Sequence, residues 1–256
     1  MQRGDTRLVV PSDESGGTHT SRTMMLAELT MLLDAVPASA DAAELKAAVI
    51  HHNVLGKKTV SGRRRAHRYL RELYALDPGT LIFRALRDLW DLDSASRPLM
   101  AVLSAVARDP LLRATVSLIL AQPEGSSVDA SMLARAVQDR YPGSYSDSIA
   151  AKIGRNVASS WTQSGHLVGR TNKKRSPAEG GAPALAFALL IGESEGLRGD
   201  QLFESDWAHL LDRSPETLRA LAKQASQRGL IEYRHAGGVT EIGFKLLLRR
   251  FDKESV

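Results

Sequence analysis

Between Lys57 and Arg71 the chain carries seven cations and no acid: Lys57, Lys58, Arg63, Arg64, Arg65, Arg68 and Arg71. This stretch alone exceeds the formal charge of the whole chain, +5 at pH 7, so the excess is local. Such a row can neutralise a polyanion through ion pairs and charge-assisted hydrogen bonds to phosphate oxygens. A second set mixes residue types: Lys152, Arg155, Asn156 and Gln163 fall on one side of a helical period. Guanidinium groups suit guanine edges, and carboxamides suit adenine edges, in a DNA major groove. Arg170, Lys173, Lys174 and Arg175 place four cations in six residues, suited to phosphate more than to bases. Arg219, Lys223 and Gln227 repeat the mixed pattern at four-residue spacing, in weaker form.

Catalytic chemistry finds less support. The chain has no cysteine, which removes disulfides, thiolate zinc sites and cysteine nucleophiles. It lacks a Gly-rich phosphate loop and His-Glu-x-x-His, and its seven histidines are scattered apart from His51-His52. Asp88, Asp91 and Asp93, and Asp200, Glu204 and Asp206, could hold Mg2+, but acids at helix ends and in turns are more commonly caps. No catalytic residue, metal site or cofactor is expected.

The elements that must position these groups read as helices. Thr59 or Ser61 caps a helix running to about Leu76, with Ala66, Tyr69, Leu70, Leu73 and Leu76 on its apolar side and Arg64, Arg68 and Arg71 opposite. Cations in its first turn face the positive end of the macrodipole, unfavourable by roughly 0.3–1 kcal/mol each, and a bound phosphate would relieve both that charge and the unpaired N–H groups. The alternative is a solvated basic face, although such faces usually mix signs. Upstream, residues 1–22 lack apolar periodicity and are expected to be a mobile tail, followed by a helix that ends before Pro37 and another from Asp41.

Downstream, Arg97-Pro98 and Asp109-Pro110 open helices. Asp129 starts a further helix, Tyr141 to Ser144 turns the chain, and Ser146 caps a longer helix ending near Gly165, followed by a short strand and the basic loop. That order is a winged helix-turn-helix. It recurs as an apolar helix from Pro183 to Gly192, a short helix from Asp206, a helix capped at Ser214-Pro215, and a hairpin turned by Gly237-Gly238. A closing helix from Gly243 to Phe251 carries Lys245, Arg249 and Arg250. The expected fold class is mainly α, with a helical N-terminal domain (23–108) and winged helices at 109–182 and 183–256, each with a short β-hairpin wing. A winged unit lays its second helix in the major groove and its wing along the backbone. The competing reading is that these faces are solvated or dock protein.

Hydrophobic residues at 43% and charged residues at 25% are ordinary for a globular chain. The apolar runs Leu99 to Ala107 and Ala182 to Gly192 fall short of the roughly 18 residues a membrane span needs. A sequence pI near 9.6 with clustered cations favours nucleic acid over acidic lipid. The absence of cysteine suits a reducing cytoplasm.

Asn53, Leu55, Lys58, Ser61 and Arg64, followed by Leu70-Arg71 and Leu76, and then Ala105, Ala107-Arg108-Asp109 and Leu111-Leu112-Arg113, resemble the BrxA family of BREX phage-exclusion systems. The resemblance spans roughly residues 26–175. It implies a small, mostly helical, non-enzymatic DNA-binding component of a bacterial defence system, acting beside a DNA methyltransferase and other large partners. After about Pro177 the chain departs from the family pattern, and no functional residue is carried over to that part. The expectation is therefore a cytoplasmic protein that binds double-stranded DNA through the basic helix and wings. The alternatives are a protein-docking adaptor of a defence complex and a winged-helix transcriptional regulator.

Overall fold

The computed structural model describes residues 16–249. Its hub is a helix that the sequence makes apolar on every side, α10 (Ala182–Ser194), so it can only be buried on every side. Ala182 to Gly192 are all buried. Around it pack α4 (Leu81–Trp90), α5 (Arg97–Arg108), α11 (Asp206–His209) and α12 (Pro215–Gln227). Before these come α1 (Leu26–Ala35), α2 (Ala42–Ile50) and α3 (Val60–Tyr74). Their starts follow local chemistry: Asp41 and Glu44 form a capping box, and the Thr59 hydroxyl accepts from Gly62 N–H at 3.0 Å. α3 stops at Tyr74, short of the expected Leu76, because Ala75 and Leu76 both take positive φ and turn the chain while staying buried.

The middle of the chain forms α6 (Pro110–Arg113), α7 (Val116–Ala121), α8 (Ala130–Arg140) and α9 (Asp147–Gln163), then the antiparallel strands β1 (Leu167–Val168) and β2 (Lys174–Arg175). The other edge of β2 pairs with the loop before α8: Arg175 N–H donates to the Ser126 carbonyl at 2.9 Å, and Val128 N–H to that of Lys173 at 3.0 Å. α8 and α9 approach so closely that a Cβ on Gly154 would lie 2.2 Å from the Ala130 carbonyl oxygen. The chain closes with β3 (Glu232–Ala236), β4 (Val239–Gly243) and α13 (Lys245–Leu248). Gly237 and Gly238, both at positive φ, make the two-residue turn that sets Ala236 opposite Val239.

The fold is mainly helical, and its buried apolar residues form one continuous core shared by the three expected segments. No helix among the described residues is long and apolar enough to cross a membrane. One expectation needs correction. Of the segment read as a mobile tail, Thr18–Thr20 form a 3-10 turn with His19 at 0% exposure, and the chain from Gly17 to Met25 is a strap laid between α3 and α9. The strap escaped notice because its hold is polar and its only large apolar side chains, Met24 and Met25, adjoin α1. The closing helix expected from Gly243 is found over Lys245–Leu248, and the earlier part of that tail, with Arg250 and Phe251, lies outside the described residues.

Candidate nucleic-acid interface

On α3 the cations divide by role. Lys58, Arg64, Arg65 and Arg71 are exposed and make no ion pair or hydrogen bond among the described residues. Arg63 is a correction: its Nη1 donates to the Ile50 carbonyl at 3.1 Å and its Nε reaches the Lys57 carbonyl at 3.5 Å. Ile50 ends α2, so Arg63 satisfies the negative end of that helix and is drawn away from a ligand. Lys57 pairs with Glu28 at 3.0 Å, and Arg68 stacks 4.7 Å over Tyr69 with Glu72 at 3.6 Å. The positive field on this face registers at His67, whose imidazole is held below its ordinary value by burial first and then by Arg71 and Lys46.

The reading face expected on α9 is the second correction. Asn156 Nδ2 donates to the His19 carbonyl at 2.8 Å, Gln163 Oε1 accepts from Leu26 N–H at 3.0 Å, and Ser160 Oγ accepts from Met24 N–H at 2.8 Å. The strap and the start of α1 thus occupy the polar stripe that base edges would need, and only Lys152 and Arg155 remain exposed. Under the strap, His19 Nε2 lies 2.8 Å from Ser160 Oγ, and His19 Nδ1 lies 2.9 Å from Asp109 Oδ2. Burial alone would raise the Asp109 carboxyl, yet the charge of the adjacent His19 and the N–H groups of Leu112 and His19 hold it below the carboxylate range. The order carboxylate, imidazole, hydroxyl invites comparison with nucleophilic serines. Here, however, all three residues are buried, Ser160 Oγ already receives Met24 N–H and donates to the Asn156 carbonyl, and the Nδ1 contact lacks hydrogen-bond alignment. The cluster is a clasp for the strap. Sequence reading missed it because its members lie 90 and 141 positions from His19.

The third correction concerns Arg175. It is 6% exposed, pairs with Asp212 (Nη1 to Oδ2, 3.0 Å) and donates to the carbonyls of Ile119 at 3.0 Å and His166 at 3.3 Å. It is a buried tie between the first hairpin and the loop before α12. Lys173 bends back to Thr162 Oγ1 at 2.8 Å, whereas Arg170 and Lys174 are exposed and unpartnered among the described residues. In the second half, Arg219 is held by Asp200 at 2.9 Å and stacks 5.2 Å over Phe203, while Lys223 and Gln227 are exposed. Of the acids considered for Mg2+, Asp88, Asp91, Asp93 and Asp200 are occupied by such pairs and caps, Glu204 and Asp206 are exposed, and no three metal-ligating groups converge among the described residues.

The strap also fixes how the cations sit relative to one another. Along α3 its contacts run from Glu72 (with Thr18) through Tyr69 (under Arg22), and beyond it Glu28 meets Lys57. Along α9 they run from Asn156 (with His19) to Gln163 (with Leu26). The two helices therefore lie antiparallel, and the start of α3 shares one end of the molecule with the end of α9, where the β1–β2 hairpin departs. Lys58, Arg64 and Arg65 are brought to the same end as Arg170 and Lys174. Arg22 and Arg108, not foreseen as site residues, join the α3 face from the strap and from the end of α5. The chain matches no protein-family model and no curated protein.

Proposed function

We propose that this chain binds double-stranded DNA, chiefly through its phosphates and without catalysing a reaction, as a component of a BREX-like bacterial defence system. In this reading residues 109–182 and 183–256 are two winged helix-turn-helix units. The succession α7, the 125–128 segment, α8, α9 and the β1–β2 hairpin supports the first, and α10, α11, α12 and the β3–β4 hairpin the second. The observation that carries the proposal is that Lys58, Arg64 and Arg65 of α3 and Arg170 and Lys174 of the first hairpin are exposed and unpartnered among the described residues, on elements that the strap contacts bring toward one end. The resemblance to BrxA proteins supports the defence role, the cytoplasmic setting, and partners that include a DNA methyltransferase.

The test is a titration of a labelled duplex over roughly 50 to 200 mM salt. With Lys58, Arg64, Arg65, Arg71, Arg170 and Lys174 each meeting one phosphate, log K is expected to fall against log salt with a slope near −5, about −0.9 per contact. Affinity that is flat across that range would exclude the reading. The strap on α9 favours a second one, a protein-docking adaptor, because a covered recognition helix cannot read a groove. An adaptor retains its partners when the six cations are neutralised and shows no salt-steep DNA affinity.

A further inference from the structure

Beside the strap lies a cleft walled by Gly17, Thr20 and Ser21, by Arg68 and Tyr69 of α3, and by Arg108 at the end of α5. Arg108 donates through Nε to the Glu72 carbonyl at 2.8 Å, and its terminal nitrogens have neither carboxylate nor carbonyl among the described residues. Arg68 of α3 also lines it, stacked on Tyr69, with Arg22 5.5 Å over the same ring. The nearest acid, Glu72, accepts from the Thr18 hydroxyl at 2.7 Å and faces Arg68. The other, Asp109, is turned to His19 in the floor. Two guanidinium groups from different elements thus line a cleft whose acids also have other partners, Thr18 for Glu72 and His19 for Asp109. We propose that this cleft binds a terminal phosphate group, a phosphomonoester such as the 5′-phosphate of a DNA end or a free nucleotide.

The chemistry is that of a tetrahedral oxyanion. A planar carboxylate is satisfied by one guanidinium fork, whereas guanidiniums from two directions suit an anion with three free oxygens, and the hydroxyl of Ser21 can complete the set. Burial lowers the Arg108 guanidinium, the mark of a cation removed from water without a counter-charge. Tyr69 is buried under Arg68 and Arg22, so no aromatic face is left for a base to stack on. The site therefore selects the phosphate and not the nucleobase.

The inference goes beyond duplex binding, and it can fail separately. Two duplexes labelled at their 3′ ends, one 5′-phosphorylated and one 5′-hydroxyl, are titrated against the full chain, with inorganic phosphate and adenosine monophosphate in parallel thermal melts. A preference of about tenfold for the phosphorylated end is expected, the order of one set of charge-assisted hydrogen bonds. Arg108→Gln should abolish that preference, bringing the phosphorylated duplex to the affinity of the hydroxyl one whatever change the two share, and Arg68→Gln, on an exposed side chain, serves if the first variant folds poorly. Stabilisation by phosphate and nucleotide without the end preference would identify the free ligand as the occupant. Equal affinity for both duplexes together with no stabilisation by either small anion overturns the inference, whatever the salt titration of internal DNA shows.

Discussion

Arg63 and Arg64 are neighbours in a run of three arginines, yet they do different work, and only the neighbouring helix reveals it. Arg63→Gln removes the side chain that satisfies the end of α2 and should cost about 1–2 kcal/mol of stability. Arg64→Gln and Arg65→Gln should shift stability by no more than about 0.5 kcal/mol while each flattens the salt slope of DNA binding by about one unit. Paired thermal melts and DNA titrations on the three single variants decide it, and equal behaviour of all three would return Arg63 to the ligand. Arg175→Ala should cost about 3–5 kcal/mol, because it strands Asp212 and frees buried carbonyls. His166 titrates against the fold. Burial first, and then Arg175, pull its imidazole down to about 4 from 6.5, although Asp212 and the Leu210 carbonyl oppose this. The unfolded chain therefore takes up the proton first: the stability held above pH 6.5 is lost as pH falls toward 4, on the order of a few kcal/mol. Denaturant titrations at several pH values should show this decline, with a shallower one in His166→Gln.

At the scale of elements, much was legible, and what was not shares one cause. Caps at Asp41, Thr59 and Asp129 and the Gly237-Gly238 turn are local signals, so helix starts and the second hairpin follow from short stretches of sequence. The apolar sides of α3 and α9 follow from periodicity. Periodicity also marks a polar face, but it does not say whether that face meets water, DNA or another segment of the same chain. On α9 it meets the strap, which has no apolar period and uses Gly17, Thr18 and His19 to reach partners far away in sequence. Arg175 misled for the same reason: four cations in six residues look alike until Asp212, 37 positions on, claims one of them. Gly17 gives the strap a sharp test, since a Cβ there would sit 2.6 Å from the Asp109 carboxylate. Gly17→Ala should raise amide exchange along residues 18–26 and at the α9 positions they cover, whereas Gly16→Ala, which meets open space, should not. Unchanged protection in both would mean that the strap is not held by its clasp.

For the whole molecule, the family resemblance and the core disagree about where a unit ends. The stretch expected from the sequence to resemble BrxA ends near residue 175, just before α10 begins, an expectation that would let a first part stand without the rest. Packing says otherwise. α10 is buried from Ala182 to Gly192 and lies against α4 and α5, while Arg175 reaches across to Asp212 and Arg249 to Asp88 at 3.0 Å. α4 and α5 carry large buried side chains such as Phe83, Leu86, Leu99 and Val102, and removing α10, which packs on both helices, would return apolar surface of this kind to water. At roughly 1.5–3 kcal/mol for each large side chain returned to water, the loss is comparable with the whole stability of a domain. The full chain should therefore unfold in one transition seen alike by circular dichroism and tryptophan fluorescence, since Trp90, Trp161 and Trp207 sample all three segments. A fragment ending at Pro177 should lack a cooperative melt and bind an apolar-surface dye. A fragment that melts cooperatively and binds DNA like the full chain would show instead that the second half is a separate body, and that the shared core matters less than its burial suggests.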